Sequence, residues 1–399
     1  MINYFAGRKV KIVKQTLLLV IGCVWLFLLA FASAAQTNNP LVQFGEKHTL
    51  HSKILNEERP YWVYLPPSYQ SDVNHSPQKY PVLYLLDGEW NFEWACEVEQ
   101  FMSDSLQIPE LIVVGIPNTN RERDLTPTHD TNDVSSGGGE LFEKFLNEEL
   151  APELNAKFRT VPYQILVGHS MGGALAADVF LRQANGFQTC IAIDPSLWWD
   201  NKVLVQRAKE FMPQRNSHNT IFIATADWPR SLDPTNGTTG SSELFVSILK
   251  TNSSPGIRIG YQHLESEDHS SSRLLGLYDG LRFIFDGYKP MDVLALDEPS
   301  LIKNHFEKLS DRLGFPILPP EGFVNKIGYG LLDAHETDKA VECFKLNVSN
   351  YPDSAYVYSH LADAYLAKGE KELAILNYEK ALELNPNLNS AEKALEKLK

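Results

Sequence analysis

Gly168-His169-Ser170-Met171-Gly172-Gly173 is the stretch that decides the fold class of this chain. The apolar run Gln164–Val167 comes directly before it, and the helical pattern Ala174-Leu175-Ala176-Ala177 comes directly after it. A sharp turn from a strand into a helix strains the backbone of its central residue and needs small residues on either side. The stretch therefore predicts a strand, a tight turn that exposes Ser170, and a helix.

Short apolar runs alternate with longer helical patterns from about residue 48 to residue 288. This alternation predicts an α/β fold, with a mainly parallel sheet and helices on both of its faces. The eight predicted strands are 48–55, 61–65, 80–86, 111–116, 164–168, 189–193, 220–225 and 257–263, of which the first two form an antiparallel lead-in. Helices are predicted at 140–157, 171–184, 242–249 and 271–285. Functional residues are expected in the loops that follow the strands.

The first 34 residues have the pattern of a secretory signal peptide. Cations at positions 8, 9, 11 and 14 precede the apolar run Leu17–Ala32, which ends in small residues. An uncleaved membrane anchor is the alternative, because the run is nearly long enough to cross a bilayer. We therefore expect an exported protein, periplasmic or secreted, or a membrane-anchored one if the segment is retained.

The composition of the 399 residues is that of an ordinary globular protein, with 43% hydrophobic residues and a net charge of −14. The negative charge argues against a nucleic-acid partner, because binding to phosphates depends on clustered Lys and Arg. The three cysteines beyond the signal segment, Cys96, Cys190 and Cys343, lie in separate predicted elements. They indicate buried thiols and neither a disulfide framework nor a metal site.

The C-terminal region repeats with a period of 34 residues. Pro352 and Pro386 are 34 residues apart, and the same offset relates Phe344 to Tyr378. This is the tetratricopeptide period, and it predicts two repeats with a capping helix over residues 321–399. Residues 35–290 would then form the α/β domain, and residues 291–320 a linker with a helix. The repeats either bind a protein partner or only support the α/β domain, since two repeats are few for independent stability.

Ser170 is the predicted nucleophile, and the groups that would activate it are sought after it in the chain. Among the later histidines, His269 lies just past the last predicted strand and is the preferred general base. Asp227 comes right after the apolar run Ile221–Ala226 and is the preferred acid. Asp233, Glu243 and Asp200 stay open as alternatives, as does a Ser/His dyad that has no acid.

The residues around the nucleophile are predicted from the same loops. The backbone N–H of Met171 and the turn at Gly88 and Glu89 are expected to form the oxyanion hole. Five side chains are candidates for substrate binding, because each follows a predicted strand: Trp90, Arg121, Arg123, Trp198 and Trp199. Core packing of the tryptophans and a structural ion pair of Arg123 are the alternatives.

Together these motifs resemble the α/β-hydrolase family that includes enterochelin (enterobactin) esterase and esterase D. The resemblance covers about residues 48–288 and rests on five motifs: Tyr84–Gly88, Asn120–Leu125, Gly168–Gly173, Pro195–Asp200 and Glu267–Ser270. The chain departs from it at Ile193-Asp194-Pro195-Ser196, where Ile-Ser-Pro-Ser is common. It departs again at Ala226-Asp227, where a turn with Gly and Glu is usual.

The resemblance implies hydrolysis of carboxylic esters of aryl, siderophore or sugar type, without a cofactor or a metal. We therefore expect a serine esterase that forms an acyl-enzyme on Ser170 and acts on a small-molecule ester. The alternatives are an acyltransferase of the same fold and a repeat-mediated binding protein in which hydrolase activity is secondary or lost.

Overall fold

The structure is a computed structural model that describes residues 44–70, 78–131, 133–183, 186–211, 219–227, 237–289 and 299–399. The predicted signal segment and Asp233 lie outside the described residues. None of the described helices combines the length and the hydrophobicity that a membrane span requires.

Eight strands form one sheet, as the sequence predicts. They are β1 (Glu46–Ser52), β2 (Glu57–Tyr64), β3 (Tyr80–Leu86), β4 (Ile112–Ile116), β5 (Thr160–His169), β6 (Thr189–Ile193), β7 (Thr220–Ala226) and β8 (Arg258–Leu264). Their order is β1-β2-β4-β3-β5-β6-β7-β8. The β1–β2 and β2–β4 pairs are antiparallel, and all the other pairs are parallel.

Helices cover both faces of the sheet. Those of the α/β region are α1 (Gly88–Asp104), α2 (Arg121–Leu125), α3 (Gly139–Phe145), α4 (Ala151–Lys157), α5 (Met171–Arg182), α6 (Trp199–Lys209), α7 (Gly237–Asn252) and α8 (Ser272–Ile284). A π-helical turn, Leu146–Leu150, joins α3 to α4. Ile165 and Val167 of β5 pack on the face that α1 and α8 cover, whereas Leu166 packs on the opposite face with α3 and α5. The predicted α/β class is confirmed.

Helix α1 was not predicted, although it carries part of the site. Its buried residues include Phe92, Ala95 and Met102, which have the spacing of one helix face. Trp90 and Phe101 are also apolar but lie exposed on the other face. These exposed aromatic residues obscure the helical period in the sequence.

The C-terminal region consists of helices. Helix α9 (Pro299–Leu313) leads into two helical hairpins, α10 (Glu321–Asp333) with α11 (Thr337–Asn350) and α12 (Ala355–Ala367) with α13 (Lys371–Leu384), followed by α14 (Asn389–Leu398). Gly328 permits close packing of the first hairpin, since a Cβ there would lie 2.5 Å from Phe344 Cζ.

The helical region and the sheet share one hydrophobic core. A single cluster of buried residues runs from Ile191 of the sheet through Phe306 of α9 to Phe344 of α11. Residues 45–399 accordingly form one compact unit. The helical region is therefore part of the same folded body as the sheet.

Candidate active site

Ser170 lies at the turn between β5 and α5. Its backbone dihedrals are φ 61° and ψ −119°, a conformation that a residue with a side chain rarely adopts. Two bonds to the end of β6 hold it there. Ser170 N donates to the Ile193 carbonyl at 3.0 Å, and Ser196 N donates to the Ser170 carbonyl at 3.0 Å.

The glycines around Ser170 are needed for close backbone approach. A Cβ on Gly168 would overlap the carbonyl group of Gly172. A Cβ on Gly173 would lie 3.0 Å from Pro195 Cα, in the chain that follows β6. The spacing of small residues in the sequence therefore reflects a turn that packs against both itself and its neighbour.

The imidazole of His269 pairs with a buried carboxylate. His269 Nδ1 lies 2.5 Å from Asp194 Oδ2, and the Asp194 side chain is fully buried. The other carboxylate oxygen accepts a bond from Ala226 N at 3.1 Å. Because a carboxylate only accepts, Nδ1 carries the hydrogen and Nε2 is the nitrogen left to act as a base.

The acid predicted from the sequence was Asp227, and the structure places it elsewhere. Its carboxylate lies 2.8 Å from His263 Nε2 and accepts a bond from Ser266 N at 2.8 Å. The side chain is 53% exposed, and the bond from Ser266 together with His263 lowers its pKa. Asp227 therefore fastens the loop that leads to His269, while Asp194 contacts the imidazole.

The sequence contained a signal for Asp194. Asp194 directly follows β6, at the same edge of the sheet as Ser170, and it stands where the esterases that the sequence resembles commonly have Ser. A departure that adds a carboxylate at the carboxyl end of a strand next to the nucleophile is a candidate acid. The alternatives Asp200 and Glu243 and the acid-free dyad are not needed to account for the geometry.

A second histidine contacts His269. The ring centroids of His169 and His269 are 4.3 Å apart, and His169 Nε2 donates to the His269 carbonyl at 2.6 Å. Burial, helped by the nearby His269, lowers the pKa of His169 to about 4. His169 is therefore neutral near pH 7 and fixes the backbone of the residue that would act as the base.

The two predicted donors of the oxyanion hole begin two neighbouring helices. Met171 is the first residue of α5, and Gly88 and Glu89 are the first residues of α1, where backbone N–H groups have no partner within the helix. Strands β3 and β5 are adjacent, and a Cβ on Gly172 would lie 3.4 Å from Asp87 Oδ2. The turn after β3 is therefore next to Ser170.

Close packing against β4 explains the glycine at position 88. A Cβ at this position would lie 2.5 Å from Ile116 N of β4. The glycine thus permits α1 to start against β4. The donor role of Gly88 and Glu89 remains a prediction.

Known esterases are similar to this chain in sequence and fold. The family model described as "Putative esterase" matches residues 52–234, and the tetratricopeptide repeat model matches residues 355–388. Residues 52–234 of this chain therefore resemble a family of esterases. Its sequence is 26% identical over 252 residues to the ferri-bacillibactin esterase BesA of Bacillus subtilis, which covers 57% of this chain and 86% of that protein.

Solved structures resemble this chain over more of its length. An IroE-like serine hydrolase from Shewanella oneidensis is 29% identical, with a TM-score of 0.67 over 76% of this chain and 98% of that one. An uncharacterised protein from Capnocytophaga ochracea shares the fold over 88% of this chain and 99% of that one, with a TM-score of 0.62 at 18% identity.

Three of the predicted substrate-binding residues lie on the exposed surface or next to it. Trp90 and Trp198 are exposed, Trp90 by 57%. Arg121 donates to both oxygens of Asp87, at 2.7 and 3.0 Å, and its guanidinium lies 5.6 Å from the centre of the Trp90 ring. Since Asp87 is beside the Gly172 turn, Trp90 and Arg121 are close to the nucleophile.

The structure contradicts the other two substrate-binding predictions. Arg123 donates to both oxygens of Glu57, at 2.6 and 3.0 Å, and to Asp124 at 2.7 Å. The bonds from Arg123 lower the pKa of Glu57 to about 2. Trp199 is buried, and its indole N–H faces the backbone carbonyl and the hydroxyl of Thr128. Both side chains stabilise the fold, as the alternatives at the sequence level allowed.

Proposed function

We propose that this esterase is a serine carboxylic-ester hydrolase with Ser170 as nucleophile, His269 as general base and Asp194 as the orienting acid. The observation that carries the proposal is the 2.5 Å contact between His269 Nδ1 and the buried Asp194, beside a strained serine at the head of α5. A strained serine and a paired histidine are the parts that acyl transfer requires.

In the first half of the reaction, Ser170 Oγ bonds to the ester carbonyl carbon and passes its proton to His269 Nε2. Asp194 stabilises the imidazolium that forms. The oxyanion receives hydrogen bonds from Met171 N and from the turn at Gly88 and Glu89. The carbon–oxygen bond of the ester then breaks, and His269 returns the proton to the leaving alcohol.

In the second half, a water molecule repeats the chemistry on the acyl-enzyme. His269 Nε2 takes one proton of the water, and the hydroxide bonds to the acyl carbon. The bond to Ser170 Oγ breaks, the serine regains a proton from His269, and the carboxylic acid leaves. No oxidant, reductant or metal enters this balance.

Aryl, siderophore-type or sugar esters are the proposed substrates. The exposed Trp90, with the Arg121 guanidinium held beside it by Asp87, gives a flat aromatic surface and a cation close to the nucleophile. Aromatic rings and anionic oxygens both bind such a surface. The relatives that are named as siderophore esterases support the same class.

The decisive experiment is a panel of esters assayed with wild-type enzyme and Ser170→Ala. We expect wild type to hydrolyse at least one aryl, catecholate or feruloyl ester, and the variant to be slower by at least about 10³-fold. A fluorophosphonate should label wild type and not the variant. Wild-type protein that neither turns over an ester nor becomes labelled contradicts the proposal. If the acyl group appears on an added alcohol instead of in the free acid, the enzyme is an acyltransferase.

We propose that the C-terminal helical region supports the α/β region and that the N-terminal segment directs export of the protein. The helical region shares its core with the sheet, which favours support of the esterase over a separate docking module. The signal pattern of residues 1–34 favours work outside the cytoplasm, and mass spectrometry of the native protein would then show a chain that begins near residue 35. A partner captured by the wild type and lost with substitutions on α10 and α12 would instead establish docking.

A further inference from the structure

A cavity of about 410 Å³ lies at the junction of the sheet and the helical region. Its walls include Tyr80 and Pro81 at the start of β3, Val161 at the start of β5, and the segment Phe315–Leu318 between α9 and α10. The volume is within the range of small-molecule sites, which often form where two structural regions meet. Nothing in the proposed reaction uses this cavity.

The cavity is remote from the nucleophile. Val161 and Ser170 lie at opposite ends of β5, and nine residues of extended chain span roughly 30 Å. A molecule in the cavity would therefore bind to the amino edge of the sheet, while an ester would bind at the carboxyl edge.

Two polar groups that line the cavity have no partner in the described part of the chain. Tyr288 is only 6% exposed, and its hydroxyl makes no hydrogen bond there. Asn350 Nδ2 is also buried without a partner. By contrast, the hydroxyl of Tyr351, which lines the same cavity, donates to the Pro319 carbonyl at 2.9 Å. The Asn350 amide is a buried donor without a partner, which costs free energy that a ligand acceptor would recover. The Tyr288 hydroxyl adds a second donor on the cavity wall.

The charges around the cavity restrict the ligand. Burial and the Glu110 carboxylate raise the pKa of the Tyr288 hydroxyl, which therefore stays a neutral donor. Glu110 and Asp104 line the cavity together with Lys79, so the wall carries one more negative than positive charge and disfavours an anion. Most of the remaining wall is aromatic or aliphatic, as at Tyr80, Val161 and Phe315.

We infer that this cavity binds a neutral, mainly aromatic small molecule whose carbonyl oxygen accepts hydrogen bonds from Tyr288 and Asn350. The ligand contacts both the sheet and the helical region, so that binding stabilises the junction between them. The site is independent of Ser170 and of the ester substrate.

The test uses prodan, a neutral naphthalene ketone whose fluorescence changes when it enters an apolar site, and the full chain. We expect saturable binding of one prodan per chain, with a Kd on the order of 10 μM, and a higher thermal midpoint. Tyr288→Phe removes the donor without changing the shape and should weaken binding about five- to tenfold. Tyr351→Phe is the matched control, and binding should not change because its hydroxyl already has a partner.

Two further measurements make the outcome decisive. Val161→Trp fills the cavity and should abolish binding, whereas fluorophosphonate labelling of Ser170 should leave it intact. Equal affinity of wild type and Tyr288→Phe, absence of saturable binding, or loss of binding on labelling would each overturn the inference. If Val161→Trp does not fold, the isosteric Tyr288→Phe still decides.

Discussion

The two aspartates near the histidine loop differ in what surrounds them. Asp194 is fully buried against His269, whereas Asp227 is exposed and bonded to His263 and Ser266. Only a carboxylate in contact with Nδ1 can hold the imidazole with Nε2 turned to the serine. The assignment of the acid therefore leads to opposite predictions for the two residues.

Asp194→Asn should lower kcat by about 10³- to 10⁴-fold with little change in KM, because an amide can donate to Nδ1 and select the wrong tautomer. Asp227→Asn is the matched control and should lower kcat by less than about tenfold. Steady-state kinetics on one aryl ester measures both. A larger loss in Asp227→Asn than in Asp194→Asn would return the role of the acid to Asp227.

The lowered pKa of His169 should make the stability of the protein depend on pH. Its pKa of about 4 in the folded protein lies below the ordinary value of 6.5, so the unfolded chain binds more protons between these values. The stability that neutral His169 contributes is fully present above pH 6.5 and is lost as the pH drops towards 4. The loss should reach about 2 kcal/mol at pH 5.

Urea denaturation at pH 7.5 and pH 5 tests this in wild type and His169→Gln. The glutamine amide can still donate to the His269 carbonyl but does not titrate in this range. Between pH 7.5 and pH 5, we expect the free energy of unfolding to fall by about 2 kcal/mol less in the variant than in wild type. Equal losses would show that His169 is not the group that titrates.

At the scale of elements, an ion-pair network joins β2 to α2. Arg59 of β2 is 1% exposed, donates to Asp124 at 2.7 Å and to Glu57 at 2.9 Å, and lies 4.9 Å from the Phe142 ring. Arg123 of α2 shares both carboxylates from a more exposed position. The loop after β4 is therefore fixed by charges that no local pattern brings together.

Arg59→Met should lower the free energy of unfolding by about 3 kcal/mol, because Asp124 stays buried with one cation fewer. Arg123→Met should cost about 1 kcal/mol, since its pairs are partly solvated. KM should be unchanged in Arg123→Met, which checks that this side chain does not bind substrate. A several-fold rise in KM without loss of stability would restore its binding role.

At the scale of the whole molecule, helix α9 connects the sheet with the repeats. Phe306 is 2% exposed and lies between Tyr288, at 5.9 Å, and Phe323 of α10, at 6.5 Å. Because these aromatic rings belong to one core, the two regions should unfold together.

Phe306→Ala should cost about 3–5 kcal/mol, because it leaves a cavity in the shared core. Leu301→Ala, on the exposed face of the same helix, is the control and should change stability by less than about 0.5 kcal/mol. Calorimetry should show one transition in wild type. Two separate transitions, with only one of them shifted by Phe306→Ala, would mean that the regions unfold independently.

Whether a feature could be predicted from the sequence depends on whether the residues that form it are neighbours in the chain. The alternating apolar runs, the glycines around Ser170 and the 34-residue period depend on residues that are neighbours in the chain, so the sequence alone determined the sheet, the strand-to-helix turn and the repeats. It also placed His269 after the last strand, which is where the structure has it. Helix α1 was not predicted, because its exposed aromatic residues interrupt the helical pattern of apolar residues.

Contacts between distant segments were decided only by the tertiary structure. Asp194 rather than Asp227 meets His269 because β6 lies beside β5 and the loop after β8 folds over its end, a distance of 75 residues along the chain. Arg123 turns to Glu57, Trp199 is buried against Thr128, and the cavity forms between segments far apart in sequence. Side-chain partners of this kind follow from the packing of whole elements, which no local pattern encodes.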